Sequence, residues 1–133
     1  SGKRHKLTSG IFGGKFYRAL KNVEKAFEFM AETKKQNPIE LFVRAIERAS
    51  LREEVISYQI GSVMAREAVV TAPQRRVDKC LRFFAQGSYK RSLGKKMKLH
   101  KALAEELLAA VDGKDCFAIK EKTRIEREAA GAR

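Results

Sequence analysis

Residues 54–76 read EVISYQIGSVMAREAVVTAPQRR, and this stretch decides the fold. Val55 to Ile60 and Val63 to Thr71 are two runs rich in β-branched residues, divided by the turn pair Gly61-Ser62. Two such runs across a two-residue turn predict a β-hairpin over about 55–71. A two-stranded ribbon buries little and is marginal by itself, so one attached to a helical chain is expected to protrude and touch something. Pro73 then fits the first position of a helix, which places Val77, Cys80, Leu81 and Phe84 on one face and Arg75, Lys79, Arg82 and Gln86 along another. A basic stripe is expected beside an apolar one.

Before the hairpin the pattern is helical. Phe16, Ala19, Leu20, Val23, Ala26, Phe27 and Met30 recur at three- and four-residue steps, which predicts a helix from Lys15 to about Lys35 with that face inward. Asn37 offers an N-cap oxygen, Pro38 fits the first helical position and Glu40 stands three residues after the cap, so a second helix follows with Ile39, Phe42, Val43 and Ile46 inward. After the third helix, Gly87 to Lys98 reads as a loop. Leu99, Leu103, Leu107 and Val111 predict a fourth helix that Gly113 ends. Ala118 to Ala130 carries alternating charge and few apolar residues, which predicts a last helix exposed on much of its surface. The fold class expected is mainly α: a single helical domain of five to six helices over 15–133, one protruding hairpin, and a basic N-terminal arm over 1–14.

At 133 residues the chain has room for about one domain, and its 44% apolar content is enough for a core, which excludes a wholly disordered basic tail. No apolar run approaches a membrane span, and the basic start is not followed by the apolar stretch of a secretory signal. Cys80 and Cys116 are too few to staple a secreted mini-protein and read as buried thiols in a reducing compartment.

The net charge is +13, and its distribution says more than its total. Residues 1–21 carry Lys3, Arg4, Lys6, Lys15, Arg18 and Lys21 with no acid. Residues 73–101 carry Arg75, Arg76, Lys79, Arg82, Lys90, Arg91, Lys95, Lys96, Lys98 and Lys101 against Asp78 alone. Like charges gathered this way repel one another unless a polyanion neutralises them, so nucleic acid or an acidic surface is the expected partner. Arg75 and Arg76 open a helix, where backbone amides and the helix dipole favour a phosphate. Tyr17, Tyr58 and Tyr89 adjoin basic or hairpin segments and are candidates for stacking on unpaired bases.

Catalysis finds no constellation. His5 and His100 lack a neighbouring carboxylate and hydroxyl in a recognisable order. The two cysteines and two histidines lack the close-spaced ligand pairs of a zinc site, so no metal or other cofactor is expected. Gly14-Lys15 fails as a phosphate-binding loop, because Ser9 stands where the leading glycine belongs and Phe16 where the magnesium-binding hydroxyl belongs. Glu53-Glu54 and Glu105-Glu106 read as solvated acids.

From about Lys6 to Arg133 the sequence resembles the universal small-subunit ribosomal protein seven family, in its archaeal and eukaryotic-cytosolic branch. The motifs are Gly14, Lys15, Ala19, Val23, Ala26 and Phe27; Asn37-Pro38; Glu54, Val55, Ser57 and Gly61; Pro73, Arg75 and Arg76; Leu103 to Leu107; and Ala118 to Lys122 with Ile125, Glu126 and Arg127. Each alone is weak, and their order and spacing are specific. The resemblance implies a non-enzymatic cytoplasmic component of the small ribosomal subunit. It would bind the 3′ major (head) domain of small-subunit rRNA, nucleate head assembly, and touch neighbouring head proteins. Its Lys15, Arg75, Arg76, Arg82, Lys90 and Arg91 would face rRNA. The hairpin, with Tyr58, Gln59, Gly61, Ser62 and Arg66, would lie near messenger and exit-site tRNA, and no homo-oligomer is implied. Three departures stand out: Tyr58-Gln59 replaces two arginines common in the family, Gly61-Ser62 replaces a Gly-Gly tip, and Phe16 replaces a second basic residue. They leave docking of the body intact and weaken the case for electrostatic contact by the hairpin. The start at Ser1 without methionine, with an arm shorter than cytosolic relatives show, leads us to expect processing or further residues. The alternative from another class is an architectural protein that binds duplex DNA through the same stripe.

Overall fold

The computed structural model describes residues 14–133. Lys3, Arg4 and Lys6 of the expected arm lie outside the described residues. The element order is α1 (Phe16–Lys34), α2 (Pro38–Ala49), β1 (Glu53–Ile60), β2 (Val63–Val70), α3 (Pro73–Ser92), α4 (Leu99–Val111) and α5 (Phe117–Gly131). The protein is mainly helical with one antiparallel hairpin, as the sequence predicts.

α1 closes with Lys35 in the left-handed conformation, its amide donating to Ala31 O. Asn37 Oδ1 then accepts from Ile39 N at 3.0 Å and Pro38 opens α2, so the expected cap is in place. Phe27 and Phe42 meet across the two helices with ring centroids 5.3 Å apart.

The buried seam of α2 differs from the one expected. Leu41, Ala45 and Ala49 are buried, Phe42 and Ile46 are half-buried, and Ile39 and Val43 are exposed. The face is turned by one residue, about 100°, as α2 packs against α1, α3, α4 and α5 together and not against a single neighbour. α4 is the centre of the body: it touches α1, α2, α3 and α5. Ala102, Ala104, Glu106, Leu107, Leu108 and Ala110 are all buried, while Leu99, Leu103 and Val111 are only half-buried. A helix packed on several sides loses the single apolar stripe on which the expectation rested.

α3 runs on to Ser92, through residues 87–92 that the sequence reading assigns to a loop. Gly87 is buried there, and a Cβ at this position would lie 2.8 Å from Phe117 Cβ and 3.0 Å from Glu106 Oε2. This glycine admits α5 instead of breaking α3. The core face of α3 is Cys80, Phe83, Phe84, Gly87 and Ser88, whereas Val77 and Leu81 are exposed. Both cysteines are free and buried, and burial pushes the Cys80 thiol up to about 12.

The hairpin pairs Glu53 with Val70 through Ile60 with Val63. Gly61 has φ +61 and Ser62 is not left-handed, the pattern of a type II′ turn. Residues 56–64 are all exposed, so the distal half protrudes. The base is fastened. Arg52 N donates to Glu126 Oε1 at 3.1 Å, Thr71 N donates to Arg52 O at 3.0 Å, and Arg133 pairs with Glu53.

Candidate nucleic-acid interface

Arg75, Lys79, Arg82, Gln86 and Lys90 follow one another along α3 at steps of three and four, so they share one face roughly opposite the one that carries Phe84 and Ser88. Burial, with the Arg75 and Arg82 charges adding to it, holds Lys79 below the usual lysine range. The stripe is therefore crowded with like charge, and an anion laid along it relieves that repulsion.

The individual cations differ in how free they are. Arg82 is exposed. Arg75 donates from Nε to Glu54 Oε1 at 2.6 Å with its side chain half exposed, leaving its outer nitrogens available. Arg76 donates to Thr71 O at 2.9 Å. Lys90 Nζ sits 4.4 Å above the Phe117 ring, a cation-π contact.

Arg91 is turned inward. Its Nε donates to Glu106 Oε1 at 2.9 Å and its Nη1 to Glu105 Oε2 at 3.3 Å. Burial works against that charge, but the bonds and fields of Glu106 and Glu105 hold its pKa above the ordinary value. Glu106 is only 3% exposed and its Oε2 accepts from Phe117 N at 3.2 Å. One buried carboxylate thus ties Arg91 of α3 to the first amide of α5. Glu54, Glu105 and Glu106 are not the solvated acids that the sequence suggests, and Glu106 is the residue that sequence reasoning missed. The signal was there: Ala102, Leu103, Ala109 and Ala110 stand three and four residues either side of Glu106, so on a helix its neighbours along the face are all apolar.

Lys95 and Lys96 are exposed on the linker between α3 and α4. With Met97, Lys98, His100 and Lys101 they line a shallow depression of about 340 Å³ that no acid enters. Lys15, Arg18 and Lys21 are exposed on the first turns of α1. Lys34 Nζ bonds Asp112 Oδ1 at 2.9 Å, which joins the C-terminal ends of α1 and α4. The two helices pack side by side, and α1 has 19 residues to the 13 of α4. At about 1.5 Å per residue α1 outruns α4 by nearly two turns, into the region where the linker enters α4. The cations of residues 15–21 and of 95–101 therefore share one end of the body. Arg75 and Arg76 lie at the hairpin base, about 22 Å along α3 from Lys90. The sequence block 73–101 is split in space, and its second half joins the N-terminal block.

The hairpin has a different character. Register puts Ile56, Tyr58, Ile60, Val63 and Ala65 on one face and Ser57, Gln59, Met64 and Arg66 on the other. Ile60 and Val63 are each 64% exposed. Gln59 Nε2 donates to Gly61 O at 3.0 Å, across the turn. Arg66 is the one base of the hairpin against Glu53, Glu54 and Glu67, so the ribbon is net negative on a strongly positive chain.

Among the described residues no group of His, Cys, Asp or Glu is arranged to hold a metal ion, and no helix is long and apolar enough to cross a membrane. A helical body with surplus cations on one helix face and one end, and a single outstretched hairpin, defines a small basic helical protein whose positive charge is gathered on two surfaces. The chain belongs to the family described as ribosomal protein S7p/S5e, whose model matches residues 5–133. It is 41% identical to the small ribosomal subunit protein uS7 of Nanoarchaeum equitans, over 99% of this chain and 67% of that protein. It is 40% identical to the protein of the same name from Halobacterium salinarum, over 96% of this chain and 61% of that protein. For Thermoplasma volcanium uS7 the identity is also 40%, over 90% of this chain and 66% of that protein. The chain thus spans roughly three-fifths to two-thirds of the length of these relatives.

Proposed function

We propose that the chain is a non-catalytic component of the small ribosomal subunit in the cytoplasm, where it binds the 3′ major domain of small-subunit rRNA and nucleates assembly of the head. The observation that carries this reading is the α3 stripe, where Arg75, Lys79 and Arg82 crowd together against Asp78 on the helix and Glu54 on the hairpin base. The names of the relatives support it. In this reading Arg75, Arg76, Lys79, Arg82 and Lys90 hold one length of rRNA backbone. Lys15, Arg18, Lys21, Lys95 and Lys96 hold a second, and Lys3, Arg4 and Lys6 extend it. Arg91 supports the surface from behind, its guanidinium already spoken for by Glu105 and Glu106. The hairpin, with Tyr58, Gln59, Gly61, Ser62 and Arg66, lies near messenger and exit-site tRNA, and the remaining faces meet neighbouring head proteins.

The test is a salt titration of binding to an in vitro transcribed 3′ major domain. Neutralising about six phosphates gives a log-log slope of roughly −4 to −5. Duplex DNA of equal length serves as competitor. Preference for the folded RNA supports the proposal, and equal affinity for the DNA overturns it in favour of an architectural DNA-binding protein.

A further inference from the structure

Phe16 and Tyr17 are 70% and 78% exposed at the start of α1. They sit there because α1 outruns the body: Phe16 continues the line of Leu20, Val23 and Phe27, but the helices that cover Phe27 stop short of it. Burial of such a ring stabilises a protein, and the described fold makes little use of that for either. Their rings meet edge to face, with centroids 5.7 Å apart and planes at 79°. They therefore do not stack on each other, and broad faces of both remain open. Lys15, Arg18 and Lys21 are exposed around them, and the first turn holds no acid.

We infer that Phe16 and Tyr17 form a stacking platform for an unpaired base of the bound RNA, with Lys15, Arg18 and Lys21 holding the phosphates on either side. The inference rests on the rRNA-binding reading. A π face accepts any base, and the ring of cations selects a polyanion over an apolar protein surface as the occupant. Duplex RNA keeps its bases stacked within the helix and offers none to the platform. The site is local to a position where a ring stands in place of charge. It trades a phosphate contact that weakens with salt for a stacking contact that does not.

The chain contains no tryptophan, so Phe16→Trp introduces a single reporter at the platform. Titration with the 3′ major domain should quench its emission, and titration with a fully paired RNA duplex should not. The double variant Phe16→Leu with Tyr17→Leu keeps apolar bulk and helix propensity while removing both rings. Its affinity for the 3′ major domain should fall at least fivefold, with the salt slope unchanged. An unquenched tryptophan at saturation, or an unchanged affinity for the double variant, overturns the platform and leaves the rRNA-binding reading standing. If the unaltered chain fails to bind the 3′ major domain, the proposed function itself falls and takes the platform with it.

Discussion

Replacing Gly87 by alanine tests the packing that holds the interface together. In an exposed helix interior this change stabilises by about 0.5–1 kcal/mol, because alanine loses less backbone entropy. At Gly87 the new methyl would stand 2.8 Å from Phe117 Cβ, which is rigidly attached to the α5 backbone, and 3.0 Å from Glu106 Oε2. Neither neighbour yields cheaply, since Glu106 is held by Arg91 and by Phe117 N. Overpacking of a filled site costs about 1–3 kcal/mol. Set against the propensity gain, the net effect is a loss of up to about 2 kcal/mol. For a chain of this size that lowers Tm by roughly 3–8 °C. Urea unfolding monitored by circular dichroism reads the change, with Gly131→Ala as the control because nothing lies within 4 Å of a Cβ there. A Gly87→Ala protein more stable than the parent, by the about 0.5–1 kcal/mol expected where space is open, would refute the claim that glycine is there to admit α5.

Three further outcomes follow from the same geometry. Glu106→Gln keeps an acceptor for Phe117 N but removes the charge facing Arg91, so unfolding free energy should fall by about 1–3 kcal/mol, read by the same urea titration. Arg75→Ala combined with Arg76→Ala should weaken binding to the 3′ major domain and flatten the salt slope by about 1 to 2, with near-parental helicity in circular dichroism; an unchanged slope would remove both residues from the interface. The raised thiol of Cys80 gives a pH dependence. Because its folded pKa, about 12, lies above the unfolded value near 9, the unfolded chain loses the proton first, and stability falls as pH rises through that window. Cys80→Ala should show a shallower loss between pH 9 and 11 than the parent, and native Cys80 should resist alkylation at pH 8 until denaturant is added.

The hairpin and the Asn37-Pro38 helix start were legible because turn chemistry and capping are local, set by two to four neighbouring residues. Which way a helix faces is not local. The apolar period of α2 pointed to Ile39, Phe42, Val43 and Ile46, but the seam runs through Leu41, Ala45 and Ala49, because a helix that touches α1, α3, α4 and α5 takes its facing from all of them. Gly87 shows the same limit from the other side: read along the chain it breaks a helix, and read in space it makes room for Phe117. Within the site, the density of cations was visible in sequence. Their division into a hairpin-base set and an end-of-body set was not, because it depends on α3 being long enough to carry Arg75 and Lys90 to different places. Nor was the pairing of Arg91 with Glu105 and Glu106, since nothing in a run of charged residues marks which one turns inward.

These charges also bear on how the hairpin reaches its place. With Glu53 and Glu54 paired at its base, the rest of the ribbon carries only Arg66 and Glu67 and has no net charge to draw it toward phosphate. Its attraction for any surface comes from Ile56, Tyr58, Ile60 and Val63, which act only at contact range. Long-range steering must then come from the body, whose cations act over about a Debye length, roughly 8–10 Å at physiological salt. The base of the ribbon is bound to the elements that carry or support those cations: Glu54 to Arg75 of α3, Arg52 to Glu126 of α5, and Glu53 to Arg133. In the proposed rRNA-binding reading, docking α3 would therefore fix the direction in which the hairpin points. Glu54→Gln should test this division of labour. Loss of the Arg75 partner leaves the cation free, so affinity for the 3′ major domain should hold or rise, while the hairpin base loosens and hydrogen exchange in β1 and β2 speeds up. Unchanged exchange there would mean that α5 alone orients the ribbon.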